Sequence, residues 1–114
     1  MTASAALDVS VVPHRSFVLV AASGEIDLAT CGQLRDELDR LWDSGWEDIV
    51  VDLREVSFMD TQGLAVVIEA QQEAARDGWR FVLTRAPERV HRLFDMIGLT
   101  PRLTIVDDPA AAGT

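Results

Sequence analysis

Between Ile49 and Ala75 the hydrophobic period of the chain changes once, and that change limits what the chain can fold into. Ile49, Val50 and Val51 form a continuous apolar run, the pattern of a strand buried on both faces. Polar residues follow. From Leu64 the spacing Leu64, Val67, Ile68, Gln71, Ala75 is helical. The stretch reads as buried strand, loop, helix, the repeating half of a strand–helix–strand unit. Asp60 or Thr61 stands where the helix needs an N-cap, because either side chain accepts a hydrogen bond from the free N–H groups of the first turn. The same place presents a hydroxyl beside the positive end of a helix, where a phosphate is electrostatically favoured. Those N–H groups are expected to hold a phosphate without a change in the shape of the domain.

The flanking segments extend the pattern. Leu7, Val9 and Val11 alternate with Asp8 and Ser10, as in a half-buried strand. Residues 13–16 are a short polar break, so the next strand, 17–22, pairs with the first as an antiparallel hairpin. It is apolar on both faces and therefore central. Gly24 permits an unusual backbone geometry, and Asp27 is placed to cap the helix that follows. Cys31, Leu34, Leu38, Leu41 and Trp42 recur at helical spacing, with Arg35, Asp36, Asp39 and Arg40 turned to water. Ser44-Gly45 stops this helix. A strand over about 48–53 leads into the opening stretch, whose helix runs to about Asp77 and stops at Gly78. Residues 80–84 form the fourth strand. Pro87 suits the N1 position of a third helix, with Val90, Leu93, Phe94 and Ile97 as its apolar stripe. Gly98 ends it, and Leu99 folds back on the last turn. Residues 103–106 are a short last strand, and 107–114 are expected to fray. Ser44-Gly45-Trp46 and Asp77-Gly78-Trp79 repeat one connection, with both tryptophans as packing residues at the corners.

The order β-β-α-β-α-β-α-β defines an α/β fold. A single domain over 1–114, with its core over about 7–106, carries a mixed, mostly parallel sheet and an antiparallel first edge strand. Functional loops in such sheets lie at the carboxyl ends of the parallel strands. Residues 25–27 follow the second strand and 58–62 follow the third. If those strands are neighbours, Asp27, Asp60 and Thr61 converge.

Composition removes several classes. The 114 residues, 48% of them hydrophobic, suit one folded core. The net charge is −9, which disfavours nucleic acid and anionic membrane surfaces and favours a protein with a basic face. All ten basic residues are arginine. Without lysine there is no P-loop cradle and no Schiff base. Cys31 has no partner for an internal disulfide, which fits a reducing cytoplasm. The first residues lack the basic and apolar parts of a secretory signal, and no apolar run is long enough to span a bilayer. His14 and His91 lack ligand spacing, so neither metal nor cofactor is expected. Asp60 after a strand resembles a phosphoaspartate acceptor, but Glu25 and Asp27 are a loose acidic pair and the late lysine of that chemistry is missing.

Three segments carry a family resemblance. Gly24-Glu25-Ile26-Asp27, Ser57-Phe58-Met59-Asp60-Thr61-Gln62-Gly63-Leu64 and Leu93-Phe94-Asp95-Met96-Ile97-Gly98-Leu99 resemble STAS domains of the anti-sigma factor antagonist type. The resemblance implies a cytoplasmic, non-enzymatic regulator without cofactor. It implies binding to an anti-sigma factor kinase, release of a sigma factor, and a switch set by phosphorylation at Thr61 and reset by a phosphoprotein phosphatase. A monomer is the expected state. The implied partner contacts fall on Glu25, Asp27, Met59, Asp60, Thr61, Gln62 and Gly63. Thr61 stands where the family usually carries serine, and Gln62 where it carries a small residue. Plain structural roles stand beside these. Asp27, Asp60 and Thr61 serve equally as helix caps, and Gly63 lets a helix start lie close to the sheet. Arg89, Arg92 and Asp95 suit a solvated helix face. Met59 and Met96 suit packing or, if exposed with Phe58 and Leu99, an apolar rim. The alternative function is a STAS domain serving as a scaffold or accessory subunit of another signalling or transport complex.

Overall fold

A hairpin turn starts the sheet. In the computed structural model, which describes residues 6–113, β1 (Leu7–Pro13) and β2 (Val18–Ile26) pair antiparallel. Residues 1–5, part of the stretch read as lacking a secretory signal, and Thr114 lie outside the described residues. The His14 N–H donates to the Phe17 carbonyl at 2.8 Å, and the His14 ring stacks on Phe17 at 4.5 Å, closing the turn.

Three strand–helix–strand crossovers follow: α1 (Cys31–Asp43), β3 (Asp48–Met59), α2 (Thr61–Asp77), β4 (Arg80–Thr84), α3 (Glu88–Met96) and β5 (Thr104–Val106). The sheet order is β1-β2-β3-β4-β5, with every pair after the first parallel. Each right-handed crossover steps to the next strand in the same direction, which puts all three helices on one face of the sheet. On that face Val20, Val51, Leu53 and Leu83 meet Leu34, Leu38, Val66, Val67, Val90 and Phe94 in one core. The alternate residues Val50 and Val82 face the other way and pack with Phe17 and Ala112. Among the described residues no helix is long and apolar enough to cross a membrane.

The helix ends follow from local sequence. Gly45, Gly78 and Gly98 each adopt positive φ. After them the N–H groups of Trp46, Trp79 and Leu99 bond back to the carbonyls of Leu41, Ala74 and Phe94 at 3.2, 3.2 and 2.9 Å. This six-residue closure is the Schellman arrangement. The repeated Gly-Trp signal thus marks one physical device used twice, and Leu99 makes it three times.

Several features differ from the sequence-based expectation. Strand β2 runs on to Ile26 rather than ending at residue 22. Strand β3 runs on to Met59 rather than ending near Leu53. It pairs with β4 only over Asp48–Val51 but with β2 as far as Met59. Beyond β4 one face meets water, so polar Arg54, Glu55 and Ser57 belong to a strand and not to a loop. The buried face of α2 is Gly63, Leu64, Val66, Val67, Ala70 and Ala74, which leaves Ala75 exposed. Pro87 is the N-cap of α3, one place before N1, and Ile97 is exposed. Residues Pro109–Gly113 form a 3-10 turn where fraying was expected, because Ala112 is buried and its carbonyl accepts from Arg80 Nη1 at 2.8 Å.

Candidate functional site

The extension of β2 and β3 past β4 carries two loops outward side by side. Ile26 pairs with Met59, so the residues that follow each, Asp27 and Asp60, leave the sheet together. The Asp60 N–H donates to the Ile26 carbonyl at 3.2 Å. The conditional convergence of Asp27, Asp60 and Thr61 is therefore met.

Asp60, not Thr61, is the N-cap of α2. Its Oδ1 accepts from the Gln62 and Gly63 N–H groups at 2.8 and 3.1 Å. Its Oδ2 reaches the other loop and accepts from the Leu28 N–H at 3.2 Å. The N-cap of α1 is Thr30, which makes no side-chain cap bond, so Asp27 is not the helix cap expected but holds the turn before it. Its Oδ1 accepts from the Ala29 and Thr30 N–H groups at 3.0 and 3.1 Å, forming the turn that feeds Cys31 into the helix. The buried Thr30 hydroxyl accepts from the Asp27 N–H at 3.0 Å and lies 2.7 Å from the Glu25 carbonyl, to which it donates. Both acids are thus half-buried and occupied.

One expectation changes as a result. The free N–H groups read as a cradle for phosphate are already taken on Gln62 and Gly63. A phosphate on Thr61 would stand against the Asp60 carboxylate rather than inside a ready nest.

Thr61 is the first residue of α2 and is exposed. Its hydroxyl has no hydrogen-bond partner among the described residues. Gln62 is exposed beside it and Glu25 is half-buried. Gly63 and Met59, by contrast, are buried, with Met59 only 4% exposed. Both were expected as partner contacts, but they support the surface from beneath. A Cβ on Gly63 would lie 2.6 Å from the Ile26 carbonyl oxygen and 2.8 Å from Met59 Cγ, so only glycine lets α2 begin this close to β2. Gly24, at φ +115°, is equally confined against the Ala6 carbonyl. The apolar rim is divided: Phe58 and Met96 are exposed while Met59 and Leu99 are buried. Ile97 and Gly98, which follow Met96, line a groove with Gln71 and Gln72 in the later half of α2, so Met96 lies away from Thr61 at the start of that helix.

Leu28 is the residue that the sequence reading missed. It is 73% exposed, on the turn that Asp60 holds. No signal in the sequence marks it, since Leu28 precedes Cys31 by three residues and so continues the spacing of Cys31, Leu34 and Leu38. A cavity of about 580 Å³ lies at the other end of the sheet, between Glu47, Trp79, Arg80 and Arg102, and includes none of these site residues.

The comparisons with known proteins agree on the family. The family model described as "Mlab, STAS domain" matches residues 9–106. The chain belongs to the STAS domain family. Among STAS relatives, it is 33% identical over 93 residues to the anti-sigma-B factor antagonist of Bacillus subtilis, covering 82% of this chain and 84% of that one. It is 31% identical over 109 residues to the anti-sigma F factor antagonist of Paenibacillus polymyxa, covering 95% and 93%. The crystal structure of an anti-sigma factor antagonist from Mycobacterium paratuberculosis superposes with a TM-score of 0.86 at 21% identity, covering 98% of this chain and 95% of that one. These relatives are named for antagonising an anti-sigma factor and not for a reaction.

Proposed function

We propose that this STAS domain is an anti-sigma factor antagonist that binds a kinase-type anti-sigma factor in the cytoplasm, frees a sigma factor, and is switched off by phosphorylation of Thr61. The observation that carries this reading is the exposed, unpartnered Thr61 hydroxyl on a fixed two-loop surface, in a chain similar to named antagonists. The contact surface is Glu25, Asp27, Asp60, Thr61 and Gln62, with Met59 and Gly63 beneath it. A phosphate adds about −1.5 to −2 charges at neutral pH. Placed against Asp60, with two neighbouring N–H groups already used, that charge is left for solvent or for the partner to accommodate. A partner that packs against the hydroxyl meets both bulk and repulsion. A phosphatase restores the binding form, and the domain itself catalyses nothing.

The test is intact-mass measurement after incubation of the purified chain with its kinase-type anti-sigma factor and ATP. A single phosphate on the wild type and none on Thr61→Ala is the expected result. Absence of phosphate on the wild type would remove the switch while leaving binding open to separate measurement.

A further inference from the structure

We infer that Leu28 is the apolar anchor by which the partner covering Thr61 grips this domain, an inference that rests on the proposed antagonist role. Leu28 is 73% exposed although it sits on the most tightly tied turn of the site. Its N–H donates to Asp60 Oδ2 at 3.2 Å, and its carbonyl accepts from Cys31 Sγ at 3.7 Å. On its far side, Asp27 Oδ1 holds the Ala29 and Thr30 N–H groups. The backbone is therefore ordered before any partner arrives, so little loop entropy is lost on binding. The exposed side chain contributes apolar area that only a partner can remove from water.

Position identifies what covers it. A kinase that brings the ATP γ-phosphate to the Thr61 oxygen must close over the residues around that oxygen. Asp60 precedes Thr61 in the chain, and its carboxylate holds Leu28. A protein that covers both the hydroxyl and Asp60 therefore lies against the Leu28 turn. Asp27 adjoins this leucine and Asp60 holds its N–H, so the fitting partner surface is an apolar recess with a basic rim. A kinase-type anti-sigma factor with such a recess is the occupant. Phosphate on Thr61 puts a strongly hydrated dianion at the edge of the same recess, so anchoring and phosphorylation oppose one another.

The experiment titrates the purified kinase-type anti-sigma factor, with nucleotide present, against wild type, Leu28→Ala, Leu28→Met and Met96→Ala. Met96 is 74% exposed, and the residues after it line a groove with Gln71 and Gln72 away from Thr61, so it serves as the control for exposed apolar area. Leu28→Ala is expected to weaken binding about tenfold or more, the loss of an interface hot spot, while Leu28→Met and Met96→Ala stay within about threefold. Leu28 is exposed, so thermal midpoints of all four proteins should coincide, separating binding from folding. Wild-type binding with Leu28→Ala inside about threefold would overturn the anchor alone. A wild type that binds no such kinase would overturn the antagonist reading, and the anchor with it.

Discussion

The carboxylate of Asp60 spans two loops, capping α2 through Gln62 and Gly63 with one oxygen and holding the Leu28 N–H at 3.2 Å with the other. The two functions are chemically separable. Asparagine retains an accepting oxygen and is as good an N-cap as aspartate, but its amide nitrogen cannot accept from Leu28. Asp60→Asn should keep amide-exchange protection at Gln62 and Gly63 and lose it at Leu28. Asp60→Ala should lose protection at all three and cost about 1–2 kcal/mol of stability. Matching exchange profiles for the two variants would refute a double role.

Thr61 is exposed, so substitutions there should change stability by no more than about 0.5 kcal/mol. Binding should respond differently. Thr61→Ala is expected to hold the kinase-type anti-sigma factor within about threefold of wild type, and Thr61→Glu to weaken it about tenfold, near 1.4 kcal/mol. A glutamate carries less charge than a phosphate, so phosphorylated protein should bind more weakly still. Equal affinity for the alanine and glutamate variants, measured by calorimetry, would contradict the charge argument.

Gly63 tests how closely α2 must approach β2. Gly63→Ala gains helix propensity worth about 1 kcal/mol in an open helix. Here the new methyl meets the Ile26 backbone oxygen at 2.6 Å, and backbone does not yield cheaply. A net loss of roughly 1–3 kcal/mol is expected, read as a fall of several degrees in thermal midpoint. An unchanged or raised midpoint would show that the helix start shifts freely.

Asp52 and Thr84 seal the point where β3 parts from β4. The Thr84 hydroxyl donates to Asp52 Oδ1 at 2.9 Å and accepts from the Leu53 N–H at 2.8 Å, replacing a ladder partner that β4 no longer supplies. Arg54 adds contacts from Nε and Nη2 to the two Asp52 oxygens, both at 3.0 Å. Burial alone would raise the Asp52 carboxyl. The hydrogen bonds from Arg54 and Thr84, with the Arg54 charge, outweigh it and hold the group below its ordinary value. The carboxylate therefore favours the fold at pH above its unfolded pKa, about 3.9, and that contribution disappears as pH falls through the lower folded value. Denaturant titrations should show Asp52→Asn less stable than wild type at pH 7, with the gap narrowing at strongly acidic pH. A gap independent of pH would exclude this linkage. Thr84→Val strands a buried N–H and removes a donor from the carboxylate, so it should cost roughly 2–4 kcal/mol.

The fourth strand and the buried face of the first helix were legible from their local period. Arg80–Thr84 falls where expected, and Cys31, Leu34, Leu38 and Leu41 are buried as their spacing predicts. The polar half of β3 was not legible, because whether Arg54–Met59 is loop or strand depends on which neighbours flank it. At the site, the caps could be narrowed to Asp60 or Thr61 but not chosen between. Both side chains accept hydrogen bonds, and the choice rests on the backbone, which is extended at Asp60. Met59 and Gly63 sit in the same motif as Thr61, yet their neighbours across β2 bury them.

By itself the order of residues determined the element sequence, the glycine-terminated helices and the acidic character, because each is set by composition or by residues near in the chain. Only the tertiary structure decided that Asp60 holds Leu28, that the helix N–H groups are already occupied, and which motif residues reach the surface. The Asp60–Leu28 bond joins residues 32 positions apart and exists only once β2 and β3 lie parallel and carry their loops to the same place. Occupation of the Gln62 and Gly63 N–H groups is local but follows from the extended backbone at Asp60.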